Sequence, residues 1–205
     1  QRGREQQAQR AEGAWNYFRQ NPGRWPLGQL RFQLFKADGR LIDATDLRNI
    51  RQTLDLWTGT VQSSYEIEGV PVAVTTCCHP RQDLVAVRAQ SKLIAAGRLN
   101  VLIELPGVST HWETKAEPHG ANRVDIAQTL DEDRYCVSAS WSSGQWKASD
   151  WRPGWPRRYV LTPAREADEF RFVCRFSPQP IEALPDFAET ASASAKHWPE
   201  FWQSG

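Results

Sequence analysis

Methionine is absent from the 205 residues, and no apolar run approaches the roughly 18 residues that a membrane-spanning helix needs. Gln1 to Gln9 is polar throughout and lacks the apolar stretch of a signal peptide. A chain without methionine that opens on Gln1 implies that something upstream was removed, as in export processing. A periplasmic or secreted location is therefore expected, with a cytoplasmic one as the alternative and no membrane partner. Cysteine is scarce: Cys77, Cys78, Cys136 and Cys174 show no Cys-x-x-Cys spacing, and a chain of this length can bury a core without disulfide staples. They read as buried thiols, with one of the adjacent pair Cys77 and Cys78 in the core. Excess charge of one sign is also missing, with 25 Lys and Arg against 24 Asp and Glu, so there is no field to recruit nucleic acid. A neutral partner such as a sugar is permitted. There is no Gly-x-Ser-x-Gly, phosphate loop or dinucleotide fingerprint, and no repeat of about 20 to 50 residues that would build a solenoid or propeller.

What the chain has is alternation. Val61, Ser63, Tyr65 and Ile67 fall on one face of an extended segment, and Val70, Val72, Val74 and Thr76 on one face of the next. Glu68 and Gly69 join them as a hairpin. The same period runs through Leu30, Phe32 and Leu34, through Leu99, Val101, Ile103 and Leu105, through Val124, Ile126 and Gln128, through Tyr135, Val137, Ala139 and Trp141, and through Phe170, Phe172, Cys174 and Phe176. Tyr159 to Leu161 adds a strand. Leu84 to Arg88 is apolar on both faces and reads as an interior strand. Asp43 to Trp57 fits either a helix or a strand, and a short turn followed by a strand from about Gln52 is preferred. Pro106 to Gly120 and Ser142 to Pro156 read as loops. Ten to twelve short strands of this kind predict an all-β chain, a large antiparallel β-sandwich. Residues 1–13 form a polar tail, 14–178 the sandwich, and 179–205 a linker and helix. Asp186 caps that helix from about Phe187, and it ends in the aromatic run His197 to Trp202.

Three stretches read in order carry more than fold. Asn21 to Gly28 is Asn-Pro-Gly-Arg-Trp-Pro-Leu-Gly, Leu47 to Gly59 ends in Leu-Asp-Leu-Trp-Thr-Gly, and Cys78 to Asp83 is Cys-His-Pro-Arg-Gln-Asp. Together they resemble the N-terminal β-sandwich of bacterial six-hairpin glycosidases, and Trp198 to Gly205 resembles the junction into the helical domain of such proteins. The resemblance implies a galactose-mutarotase-like sandwich packed on an (α/α)6 barrel that bears the catalytic carboxylates. These residues would then be the supporting domain of a glycoside hydrolase, inactive alone, with the barrel and a carbohydrate as partners.

The candidate residues follow from chemistry. Ten tryptophans offer flat apolar faces to sugar C–H groups or to another domain, and arginine donates to hydroxyls. Arg24, Trp25, Asp55, Trp57, Trp146 and Trp151 are candidates for substrate or interdomain contact. Trp198, Phe201 and Trp202 are candidates for interdomain contact alone, because three large aromatics at one chain end are costly to leave in water. Asp55, between Leu54 and Leu56, points away from the core. No carboxylate pair advertises glycosidase chemistry, so no catalytic residue is assigned. His111, Glu113 and His119 match no metal signature, and no metal or cofactor is expected. Two further functions stay open: an independent carbohydrate-binding module using exposed tryptophans, and a mutarotase-like enzyme, for which His79, His111 and Glu113 are the available acids and bases.

Overall fold

The computed structural model describes residues 12, 14–15, 27–106, 112–130, 132–149 and 156–204. Within them twelve strands form two antiparallel sheets. β1 (Gln29–Leu34), β6 (Leu99–Leu105), β11 (Arg157–Thr162) and β10 (Gln145–Ala148) lie side by side in that order in a four-stranded sheet. The other sheet has eight strands in the order β2 (Leu47–Asp55), β3 (Thr60–Ile67), β4 (Val70–Cys78), β5 (Leu84–Gln90), β12 (Glu169–Ser177), β9 (Asp133–Trp141), β8 (Arg123–Leu130) and β7 (Trp112–Pro118). The expected all-β sandwich is therefore the observed architecture. A short helix, α1 (Lys92–Ala95), links β5 to β6, and α2 (Phe187–Gln203) closes the chain. Neither described helix is long and apolar enough to cross a membrane.

Side-chain alternation decides the two faces of the large sheet. Val72 and Val74, Val87 and Ala89, Phe170, Phe172 and Cys174, Val137 and Ala139, and Val124 and Ile126 all point inward, against Leu99, Val101, Ile103, Tyr159 and Leu161 of the small sheet. Phe32 of β1 meets Phe172 of β12 edge to face, ring centroids 6.4 Å apart, which interlocks the layers. The β3–β4 hairpin turns through Glu68 (φ 50°) and Gly69 (φ 76°), the two successive positive φ values that match the right-handed twist of the flanking strands. β5 lies between β4 and β12 and has buried residues on both faces, as its continuous apolar run predicts.

Three expectations about edges need correction. β2 begins at Leu47, not near Gln52, after a 3₁₀ turn at Ala44–Asp46. Its period is hidden by a bulge: Asn49 has φ 53° and the register shifts between Arg48 and Arg51. The segments read as loops around Trp112 and Trp146 contain β7 and β10, each the last strand of its sheet. β7 alternates Glu113, Lys115 and Glu117 with small or polar residues between them and β10 has only four residues, the charge and short length that discourage an edge from pairing with other chains, so neither shows the apolar period that β1, also an edge strand, keeps through Leu30, Phe32 and Leu34.

The thiols follow the sheet faces. Cys77, Cys136 and Cys174 are buried and Cys78 is exposed, because adjacent strand residues point to opposite sides. Burial pushes the Cys174 thiol up to about 12 and the Cys77 thiol up to about 11. Titration of the native protein with a disulfide reagent should therefore modify Cys78 alone within minutes and all four thiols only in denaturant. Rapid labelling of Cys174 in the folded state would contradict the placement of β12 in the core.

Candidate functional site

The Leu-Asp-Leu-Trp-Thr-Gly stretch is the end of β2 and the turn into β3. Asp55 builds that turn. Its Oδ1 accepts from the Trp57 N–H at 2.9 Å and its Oδ2 from the Thr58 hydroxyl at 2.9 Å. These bonds hold the Asp55 carboxyl below the usual carboxylate range, the Thr58 hydroxyl contributing most. Both oxygens are thus engaged within the turn, and the side chain is exposed, facing away from the core as its alternation predicts. Gly59 then takes φ 63°, a left-handed position.

The closing helix lands on this turn. Asp186 accepts from the Glu189 N–H at 2.8 Å while Glu189 Oε2 accepts from the Asp186 N–H at 2.8 Å, a capping box that starts α2 where the sequence places it. Phe187, Thr190 and Ser194 are buried along one stripe. Phe187 joins Cys77, Leu84, Ala86 and Val173 in a small second core on the outer face of the large sheet, with the Arg88 guanidinium 5.3 Å from its ring centroid. Phe187 is therefore a core residue, although most of the helix is polar. Small residues at 190 and 194 let the helix approach closely. Ser194 donates to the Thr58 carbonyl at 2.8 Å and the Trp202 indole N–H to the Leu56 carbonyl at 2.8 Å. The helix runs through Pro199 and ends at Gln203, one residue past the aromatic run in which its end is expected; Pro199 lacks an N–H to bond one turn back, and the indole bond of Trp202 secures the end beyond it.

Trp198 sits where a side chain at position 59 would be. A Cβ on Gly59 would lie 1.9 Å from Trp198 Nε1 and 2.2 Å from its Cδ1. Trp198 stacks on Trp202 with centroids 6.0 Å apart, and Phe201 meets both edge-on at 5.5 Å and 5.1 Å. The outer surface of this assembly is apolar and open to solvent: Leu56 is 52% exposed, Trp57 55%, Phe201 51% and Trp202 46%. Four large apolar side chains gathered from one turn and one helix end form a patch of the kind that marks an interaction surface.

The other candidates among the described residues do not join this patch. Trp146 on β10 is half-buried, packed against the main core, its ring 6.0 Å from that of Tyr159. Arg24, Trp25, Trp151 and His111 lie outside the described residues. His79, in the β4–β5 turn, accepts from the Arg81 N–H at 3.2 Å; burial, with Arg175 and Arg81 nearby, lowers its pKa and favours the neutral ring. Glu113 is exposed on β7, four strand positions from β5, about 19 Å away at ordinary strand spacing. The structure does not bring these two together as an acid and base. Sequence reasoning missed the partnership of Gly59 with Trp198. The glycine at a turn end and the aromatic run were both visible, but nothing local says that they meet.

Similar folds exist among solved structures. A kojibiose phosphorylase from the human microbiome superposes with a TM-score of 0.56 at 11% identity, over 84% of this chain and 27% of that one. The fold is shared with the matching part of that phosphorylase. A bacterial glucoamylase complexed with acarbose gives a TM-score of 0.42 at 7% identity, over 85% of this chain and 29% of that one. The chain thus spans little more than a quarter of the length of the proteins it matches. No protein-family profile matches it, and no curated protein does.

Proposed function

We propose that this chain is the non-catalytic β-sandwich domain of a larger carbohydrate-active enzyme of the glycoside hydrolase type, exported to the periplasm or secreted, which supports a helical catalytic barrel and helps to shape its substrate site. The observation that carries the reading is the open apolar patch on the Leu56–Gly59 turn and the end of α2. It is supported by the fold shared with a kojibiose phosphorylase, of which the sandwich accounts for 27%. In this reading Leu56, Trp57, Phe201 and Trp202 face the barrel. Trp198 and Asp55 act one layer back, Trp198 seating the helix on Gly59 and Asp55 holding the turn that presents Trp57.

The test compares the chain alone with the same chain joined to its helical domain, on a panel of disaccharides with and without inorganic phosphate. The expected result is turnover by the joined protein and none by the chain. Hydrolysis or phosphorolysis by the chain alone would overturn the proposal. Saturable glycan binding by the chain alone, abolished in Trp146→Ala, would favour an independent carbohydrate-binding module instead.

A further inference from the structure

On the outer face of the large sheet, away from the aromatic patch, the strand period places Arg123, Asp125 and Ala127 of β8 side by side while Val124, Ile126 and Gln128 point into the core. Arg123 follows directly on the β7–β8 turn, which is closed by the His119 N–H donating to the Arg123 carbonyl at 2.9 Å. Its guanidinium is gripped by Asp125, Nε donating to Oδ1 at 3.2 Å and Nη2 to Oδ2 at 2.9 Å. His119 Nε2 also stands 3.1 Å from Asp125 Oδ2. The side chains of Arg123 and Asp125 are only 18% and 11% exposed.

The rest of the fork holds the linker. Nη1 donates to the Glu182 carbonyl at 2.7 Å and Nη2 to the Ile181 carbonyl at 2.5 Å. Where it crosses β8 this segment has little apolar burial: Pro180 and Glu182 are exposed and Ile181 is half-buried, and only nearer the helix does Leu184 pack against the second core. A cleft of about 500 Å³ remains between it and the sheet, lined by Lys115, Glu117, His119, Arg134 and Cys136 among others. The linker therefore bridges a gap on polar bonds and then enters α2 at Asp186. We infer that Arg123, held in register by Asp125 and His119, is the positioning residue that sets where α2 begins, and so whether the helix reaches the Leu56–Gly59 turn.

The reason lies in how the helix is held. Its far end is seated by Trp198 on Gly59 and by the bonds of Ser194 and Trp202 to the Thr58 and Leu56 carbonyls, while the residues it buries fully are Phe187, Thr190 and Ser194, two of them small and polar. Those far-end contacts form in register only when the entry of the helix is fixed. A planar guanidinium can serve a carboxylate and two carbonyls together; an ammonium has the charge without the fork.

Hydrogen exchange on the intact chain tests this without a catalytic domain or a sugar, so its outcome is independent of the proposed function. In Arg123→Lys and in Asp125→Asn the amides of α2 are expected to exchange about tenfold faster, with those of β4, β5 and β12 unchanged. Lys115→Ala, which removes the pairing with Glu117 at 2.5 Å but no bond to the linker, should leave α2 at the wild-type rate. Wild-type exchange of α2 in both clamp variants would overturn the inference, and so would an equal acceleration of every sheet amide, which would mark Arg123 as part of the sheet's stability alone.

Discussion

Gly59→Ala is expected to lift α2 off the sandwich. Two costs combine at this position. The backbone has φ 63°, which a residue with a Cβ occupies at a cost of about 1 kcal/mol or somewhat more. The new methyl would also overlap the Trp198 indole, at 1.9 Å from Nε1, and the Ser194 hydroxyl, at 2.8 Å. Neither group can yield without breaking the bonds from Ser194 to Thr58 and from Trp202 to Leu56. Together these predict a loss of about 2 to 4 kcal/mol, concentrated in the helix. Gly69→Ala isolates the backbone part, because Gly69 has φ 76° but nothing within 4 Å of its missing Cβ. Denaturant melts should show Gly69→Ala shifted by about 1 kcal/mol and Gly59→Ala by distinctly more, with red-shifted tryptophan emission in the second only. Equal effects of the two substitutions would show that Trp198 is not seated on Gly59.

The same pair of residues shows what a sequence can and cannot reveal. The β3–β4 hairpin was legible because one buried face imposes a period of two and because Glu68 and Gly69 suit a turn with two positive φ values. β12 was legible for the same reason, with Phe170, Phe172 and Cys174 inward and Arg171 and Arg175 outward. β2, β7 and β10 were obscured, since β7 is charged, β10 is only four residues long and a bulge at Asn49 resets the period of β2. At the candidate site the parts were legible singly. Asp55 could be placed outside the core, and Trp198, Phe201 and Trp202 could be flagged as too apolar for a free chain end. The contact that joins them spans 136 residues, from Ser194 to Thr58, and depends on the linker's path across β8. That path is set by the fork of Arg123, whose two carbonyl acceptors carry no sequence signature at all.

Leu56→Asp combined with Phe201→Asp is expected to separate the sandwich from the proposed catalytic domain while leaving the sandwich itself folded. Both side chains are more than half exposed in this chain, at 52% and 51%, so Leu56→Asp alone should change the stability of the isolated protein by no more than about 0.5 kcal/mol, and Phe201→Asp, which loses its edge-on contacts with Trp198 and Trp202, by about 1 to 3 kcal/mol at the helix end. Against a partner the balance reverses. Each buried apolar side chain contributes about 1.5 to 3 kcal/mol, and a carboxylate facing an apolar partner surface without a counter-charge adds a desolvation penalty. The combined loss of about 5 kcal/mol or more corresponds to a docking equilibrium weakened several-thousand-fold. In the joined protein the single thermal transition should split into two, and proteolysis should reach the chain after Gln203. Ile50→Asp supplies the contrast: Ile50 is 62% exposed but stands at the bulge of β2, away from the turn, and should leave the transition single. If the double variant melts as one unit with undiminished activity, the catalytic domain docks elsewhere. The patch would then need a different partner, because aromatic rings locked in place by Gly59 and the Leu56 carbonyl are held too specifically to be a frayed chain end.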